Sequence, residues 1–402
     1  MSSEGINKAW NQLQKYLTMS KITRREEFRS EVIELLEKIF LLDGEFAFEN
    51  KADQIYFNIQ KEYLDSLKKD NKERFGSHFM NHDEAVKCCF CELCELAVLV
   101  QHHYDFDLQN APHFLRKYDS KMEKKKVSLL SQEVIDKFAR FFYLRLGDFS
   151  RYMSKFDMAL SLYKLALKAA SFDGFVHNQI GIIYIYRKKF LDALYEYILA
   201  SNSPDSFRGA DLKVQQIFKM QASLNLGNDE FDYDETFLKI VGRCRNVMLV
   251  EDVFLVNLGN LLRNSTQNYL RLKKHFVIAV TVWNILKING NEDVKKLKTA
   301  DIVVSIIADQ FFFLVEKANQ NKEEKKNNVL SLIWLYATWI EAKNISLIKK
   351  SRNDFICFEN FAKLIDHIDE SLELSCDNLY FSPFSFIDYE EASGSSLITH
   401  LT

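Results

Sequence analysis

The chain has 402 residues, 47% of them hydrophobic and 27% charged, with a formal charge of −3, 12 Gly and only 3 Pro. That length fills one or two cores, and the scarcity of helix breakers makes an all-α architecture the natural reading. The slightly acidic balance argues against a protein that coats nucleic acid through its phosphates, while leaving room for a local basic pocket.

The opening stretch MSSEGINKAWNQLQKYL is polar and lacks the apolar core of a signal peptide. Ala9–Leu17 and Arg25–Leu42 read as amphipathic helices, with Phe28, Val32, Leu35, Ile39 and Phe40 recurring at helical spacing. Asp43-Gly44 reads as a turn. A third helix, from about Ala52 to Lys69, turns Ile55, Tyr56, Ile59, Tyr63 and Leu67 inward and carries Lys61, Lys68 and Lys69 on its other face. Lys68 and Lys69 read as solvated surface. After the polar link Asn71–Ser77, Asn81 or Asp83 is placed to cap a fourth helix reaching about His103.

That helix holds Cys88, Cys89, Cys91 and Cys94, with His78 and His82 nearby. Structural zinc needs four converging ligands. Cys244, Cys357 and Cys376 are scattered, however, and helical phase puts Cys91 on a different side from Cys89, so no metal site is expected. Seven Cys without a secretion signal indicate free thiols in a reducing compartment, which makes a cytoplasmic protein, with shuttling to the nucleus, the expectation. Asp105–Val127, with Pro112 and Lys124–Lys126, reads as a loop or short helix, its lysines marking a wet helix end.

From Tyr143 to Ser201 the chain repeats itself at a shift of 34 residues. Leu146-Gly147 falls on Ile180-Gly181, Tyr152 on Tyr186, Ala159 on Ala193, Tyr163 on Tyr197 and Ala166 on Ala200. That period belongs to the tetratricopeptide (TPR) repeat, a helical pair that buries its apolar face against neighbours. Each small residue marks a close approach of helices, and each Tyr fills the gap beside it. With Gly at the eighth repeat position, Arg151 and Tyr152 are twelfth and thirteenth, and Asn178 is fifth in the second repeat. These positions are expected to converge on one concave wall. Two readings of Arg151 stand here: it faces that groove, or it pairs with Asp148 or Asp157.

Beyond Asp211–Asn225 the polar stretch Asn228–Asp234 reads as a linker. Glu235–Met248, Glu251–Asn264, Asn268–Lys287, Val294–Ala318, Asn328–Lys343 and Asp354–Ser375 read as six further helices with short links, hence hairpins. The apolar runs Ile302–Ile307, Phe311–Val315 and Val329–Ile340 are too short to cross a bilayer, so no membrane partner is expected. The expected domains are 1–227, 228–380 and a flexible tail, 381–402.

Phe142-Tyr143-Leu144-Arg145-Leu146-Gly147-Asp148-Phe149-Ser150-Arg151-Tyr152 resembles the 14-3-3 segment FYLKMKGDYYRY, whose Arg-Tyr pair holds a phosphoserine. His177-Asn178-Gln179-Ile180 is similar to the Tyr-Asn-Gln-Leu signature of the nonsense-mediated mRNA decay adaptors. These adaptors are kin to the ever-shorter-telomeres subunits of telomerase; the resemblance is nearest to their SMG-seven type. It covers roughly residues 25–225 by motif and the remainder by architecture.

The resemblance implies a 14-3-3-like/TPR domain followed by helical hairpins. It also implies a non-catalytic adaptor in nonsense-mediated decay, one that docks on phosphorylated Ser/Thr peptides of the decay helicase. Such an adaptor links them to deadenylation and decapping factors and pairs with a paralogue. By position, Arg151 matches the phosphate-binding Arg, Tyr152 its neighbour and Asn178 the peptide-groove Asn. The family's second phosphate ligand is a Lys five residues after a Trp. Here Tyr56 stands in and points to Lys61, while Phe57 would point to Glu62, and Lys51 and Arg74 are substitutes.

A phosphoserine brings nearly two negative charges and three acceptor oxygens, which a guanidinium fork and an ammonium suit. On this reading Glu at both Lys61 and Arg151 abolishes phosphopeptide binding and spares the helical fold. An enzyme is the main competitor from another class. The chain has no Gly-x-Gly-x-x-Gly, no phosphate loop and no Gly-x-Ser-x-Gly elbow. Its His102-His103 with Asp105 and Asp107 reads as a polar helix end, so neither catalysis nor a cofactor is expected. The alternative within the same fold is a telomerase-associated subunit that binds nucleic acid; the acidic balance weighs against it.

Overall fold

The computed structural model describes residues 3–19, 28–70, 81–116, 130–171, 173–224, 232–264, 268–288 and 294–320, together with 332, 333, 335, 336 and 339. Arg74, Lys124–Lys126, Cys357, Cys376, the helix expected at Asp354–Ser375 and the 381–402 tail lie outside the described residues, as does most of the expected linker. Among the described residues the regular structure is fourteen α-helices and one short 3₁₀ turn.

By contacts the chain divides into two compact units, Met1–Ser171 and Phe172–Thr402. This division differs from the 227/228 boundary read from composition. The second repeat shares one apolar core with the hairpins, running from Leu191 to Trp339, so the linker does not separate two cores.

The first unit begins with α1 (Ser3–Met19), α2 (Arg29–Leu42), α3 (Gly44–Glu49) and α4 (Ala52–Asp70). The expected turn at Asp43-Gly44 is also a helix start: the Asp43 carboxylate accepts the Phe46 N–H at 3.0 Å and launches α3. Helix α5 (His82–Tyr104) is capped by Asn81, whose side chain accepts the Glu84 N–H at 2.9 Å while Glu84 returns a bond to the Asn81 N–H. This reciprocal box satisfies two orphan donors. Asn81→Ala is expected to cost about 1 kcal/mol, read as a fall in the denaturation midpoint; an unchanged midpoint would mean the cap is idle. Helix α6 (Gln132–Tyr152) starts at Ser131, and its Phe138, Phe141 and Phe142 interlock with Phe40 at ring separations of 5.1 to 5.9 Å.

Between α2, α4 and α5 lies a polar cluster. Arg29 pairs with Glu92, donates to Gln60 Oε1 at 2.9 Å and lies 4.7 Å over the Tyr63 ring. Nearby, burial, then Glu92, Glu95 and Glu34, push the Glu37 carboxyl up from 4.5 to about 7. A raised carboxyl favours the folded state while protonated. Its contribution is therefore complete below pH 4.5 and lost as pH rises through about 7. At 1.36 kcal/mol per pH unit the ceiling is about 3 kcal/mol, and about 1–2 kcal/mol after discounting solvent screening of a partly exposed group. Glu37→Gln should accordingly flatten the fall in melting temperature between pH 5 and pH 8; an equally steep fall in the variant would show that other groups govern it.

The repeats are α6 with α7 (Phe156–Ala169), and α8 (Gly174–Tyr186) with α9 (Phe190–Asn202). The period is visible in the turns as well as in the packing. Ser154 at φ 59° closes the first turn, with Lys155 N–H donating to Ser150 O at 2.8 Å. One period later Lys188 at φ 56° closes the second, with Lys189 N–H donating to Tyr184 O at 2.9 Å. Both are left-handed caps that absorb orphan carbonyls at a helix end. A Cβ on Gly147 would stand 2.4 Å from the Tyr163 ring, and one on Gly181 would stand 2.6 Å from the Tyr197 ring. The Gly–Tyr pairing expected from sequence is thus the packing joint of each helical pair.

The second unit continues through α10 (Ala210–Ser223), α11 (Tyr233–Arg245), α12 (Asp252–Asn264), α13 (Tyr269–Ile288) and α14 (Val294–Gln320). These match the expected hairpin helices within three residues at each end. Inside, Gln310 donates to Tyr233 Oη at 2.6 Å and accepts from Tyr336 Oη at 2.8 Å, so the buried amide is satisfied on both sides. No helix among the described residues is long and apolar enough to cross a membrane.

Candidate functional site

The site is built on the last turn of α6 and the exposed face of α4. Apolar contacts hold the two helices together: Tyr56 meets Phe141 edge-on at 5.9 Å, and Phe57 meets Phe149 at 6.1 Å. Tyr56 and Phe57 therefore both face α6, and the residues one turn further along α4 reach the end of that helix.

Arg151 is 14% exposed, its Nη2 is 3.7 Å from Asp148 Oδ1, and its guanidinium lies 4.6 Å from the Tyr152 ring centre. Of the two readings of Arg151, the pairing with Asp148 is therefore real. Asp148 is 1% exposed and also accepts from Arg145 Nη1 at 3.0 Å and from the Tyr163 hydroxyl at 2.9 Å. Arg145 in turn stacks 3.9 Å over Phe57. One buried carboxylate thus anchors two guanidiniums and the Tyr that fills the Gly147 gap. The Nε atoms of both Arg145 and Arg151 have no hydrogen-bond partner. Burial works against the charge on Arg151, but Tyr163, Asp148 and Tyr152 outweigh it and hold the proton more tightly than usual. Burial likewise raises the Tyr152 and Tyr163 hydroxyls, so both stay neutral donors.

Lys61 and Lys68 lie two turns apart on α4. The Lys61 ammonium is half exposed, donates to Asp65 Oδ2 at 2.7 Å and interacts electrostatically with Tyr152. The bond to Asp65, less the effect of burial, holds its pKa above the usual value. Lys68, read from sequence as plain solvated surface, is exposed, but its ammonium stands 5.6 Å over the Tyr152 ring. Four cations are gathered here, against Asp148 and Asp65, which pair with them, and Glu62 and Asp53, which act electrostatically on Lys61 and Arg145. Lys51 sits exposed at φ 58° in the α3–α4 corner.

Asn178 belongs to the second unit. It is 2% exposed on α8, and its Oδ1 accepts from Lys213 Nζ at 2.6 Å. Lys213 also lies over the rings of Tyr197 and Phe207, at 4.9 and 5.3 Å. The carbonyl of Asn178 is thereby committed to Lys213. Tyr186, one period after Tyr152, is 66% exposed. Its preceding residue is Ile185 where the first repeat has Arg151, so the cationic cluster is not repeated.

On α5, Cys89 is buried while Cys88 and Cys91 are exposed, as helical phase predicts. Among the described residues no group of three His, Cys, Asp or Glu is arranged to hold a metal ion.

A family profile described as the Est1 DNA/RNA binding domain matches residues 159–386. Among solved structures, a chain in the structure of the C. elegans SMG5-SMG7 complex is similar with a TM-score of 0.75 at 19% identity, covering 98% of this chain and 98% of that one. A chain in the crystal structure of Est1 and Cdc13 has a TM-score of 0.62 at 14% identity, covering 98% and 90% respectively. At these identities the two likenesses establish the fold, an all-α 14-3-3-like/TPR domain followed by helical hairpins. With the profile spanning more than half its length, the chain belongs to the Est1 DNA/RNA-binding domain family, which bears out the resemblance to the SMG and ever-shorter-telomeres proteins.

Proposed function

We propose that the chain is a non-catalytic adaptor whose first unit grips a phosphorylated Ser or Thr of a partner peptide between α4 and the end of α6. The observation that carries this reading is the clustering of cations around Tyr152: Arg151 and Arg145 braced on one buried carboxylate, with the Lys68 ammonium over the Tyr152 ring and Lys61 acting on it electrostatically. A phosphoserine dianion suits that cluster. Arg151 contributes directed donors and the lysines contribute mobile point charges.

The similarity to a chain of the SMG5-SMG7 complex supports an adaptor that pairs with a paralogue; on the family resemblance it reads a phosphorylated decay helicase and hands the messenger to deadenylation and decapping factors in the cytoplasm. A second reading, a telomerase-type subunit that contacts nucleic acid, is favoured by the description of the matching family. Titration with a Ser-phosphorylated peptide and, separately, with single-stranded DNA, each at 50 and 200 mM salt, discriminates them. The adaptor reading expects saturable peptide binding and negligible DNA binding. DNA binding with a steep loss at the higher salt, of the kind that follows counterion release, would reverse the assignment.

A further inference from the structure

The last turn of α11 and the start of α12 present exposed aliphatic side chains beside guanidiniums that, among the described residues, meet no carboxylate. Helix α11 ends in a left-handed cap, with Met248 N–H donating to Arg243 O at 2.9 Å and Val247 at φ 54°. Gly is the usual occupant of that conformation, and a β-branched residue there is strained. Such strain persists where the surroundings over-determine it and concentrates at functional surfaces. The turn holds Leu249 outward at 74% exposure, and Val253 and Val256 on the first turns of α12 follow at 53% and 62%. Met248 and Leu224 flank them, both also exposed.

Arg243 lies among these residues. Its Nη2 donates to Leu224 O at 3.4 Å and its Nη1 to Leu249 O at 3.5 Å, both long, and its buried Nε has no partner. On the same turn, burial lowers the Arg245 guanidinium with no carboxylate to offset it, and its Nε is likewise unpartnered. By contrast, two of the cations lining the neighbouring cavity are already paired, Arg271 with Asp232 and Asp234, and Lys274 with Asp192.

We infer that this face docks a partner polypeptide that sets a carboxylate among aliphatic side chains, the carboxylate taken by Arg243 and the aliphatic groups covering Leu249, Val253 and Val256. A guanidinium held at the edge of an apolar patch by main-chain carbonyls is a half-filled bidentate site, and Arg–carboxylate pairs complete it with two parallel bonds. Exposed aliphatic groups contribute nothing to phosphate binding, and the exposed acids Glu251 and Asp252 beside them repel a chain of phosphates more than a single carboxylate. A polypeptide with a single well-placed acid therefore fits better than a nucleic acid. This site is in the second unit and stands whether or not the first unit binds phosphate.

The test pans an unphosphorylated 12-residue phage-display library against the full chain carrying Lys61→Glu and Lys68→Glu, so that the basic pocket does not select. The expected result is peptides with Asp or Glu flanked by Leu, Ile, Val or Phe, whose binding falls at least tenfold on Arg243→Ala and on Leu249→Ser. Leu249 is mostly exposed, so its variant keeps the test valid if Arg243→Ala folds poorly; circular dichroism checks both. Peptides without an acid, binding unchanged in both variants, or no enrichment at all would overturn the inference. So would an oligouridine that binds the wild type and is lost in the same variants.

Discussion

Lys61→Glu together with Lys68→Glu is expected to abolish binding of a Ser-phosphorylated peptide without loss of helix content or thermal stability. Both ammoniums are exposed, and the Lys61–Asp65 pair is a surface contact between residues four apart. Such pairs contribute only about 0.3–0.5 kcal/mol. Each charge-assisted bond to a phosphate contributes on the order of 1.5–3 kcal/mol. Replacing two attractions by two repulsions therefore removes more than 100-fold in affinity, at about 1.4 kcal/mol per tenfold. Arg151→Glu should abolish binding as well, but the fold is not spared in the way the sequence alone leads one to expect. It sets a second carboxylate beside buried Asp148, which Arg145 and Tyr163 still hold, and a cost of roughly 2–3 kcal/mol follows from breaking a buried pair with residual partners. Calorimetric titration and thermal melts on the two variants separate these outcomes. Retained affinity in the double-lysine variant would place the phosphate elsewhere.

The second large effect is structural. Gly147→Val drives a branched side chain into the Tyr163 ring, which is fully buried and tied by its hydroxyl to Asp148. The ring cannot retreat without breaking that bond. Overpacking costs about 1–3 kcal/mol and the broken buried bond about 1 kcal/mol more, against a gain of less than about 1 kcal/mol from helix propensity. A net loss of about 3 kcal/mol is expected in chemical denaturation. Because Asp148 braces Arg145 and Arg151, phosphopeptide affinity should fall with it. Gly259 is the matched control, since a Cβ there meets nothing within 4 Å. Gly259→Ala should stabilise by about 0.5–1 kcal/mol. Equal stability of Gly147→Val and wild type would mean that the Gly–Tyr joint does not hold the repeat.

The helices were legible because their signals are local: apolar spacing, Asn81 or Asp83 before a long periodic run, and short polar links between hairpins. The repeat was legible because a helix–helix joint of Gly and Tyr leaves the same two letters at a fixed spacing twice. Helix α3 was not, since six residues after Asp43 carry too little periodicity to tell a turn from a helix. Arg151, Tyr152 and Lys61 stand out as candidates through a motif, but the way they are braced does not. Asp148 looked only like a neutralising neighbour of Arg151. Its three simultaneous partners, Arg145, Arg151 and Tyr163, depend on how α6 meets α7. Lys68 was passed over for the same reason: nothing in the α4 sequence says that Tyr152, at the far end of α6, lies beneath its ammonium. Likewise the Arg243 surface has no sequence signature, because unmet hydrogen-bonding capacity is a property of packing.

Isothermal titration of the wild-type chain with one peptide in two forms, Ser-phosphorylated and unmodified, tests the central claim most directly. Saturable binding of the phosphorylated form, with the plain form at least about 100-fold weaker, is the result expected if two or more charge-assisted bonds reach the phosphate. Equal affinity for the two forms would contradict it and leave the cluster around Tyr152 a structural brace.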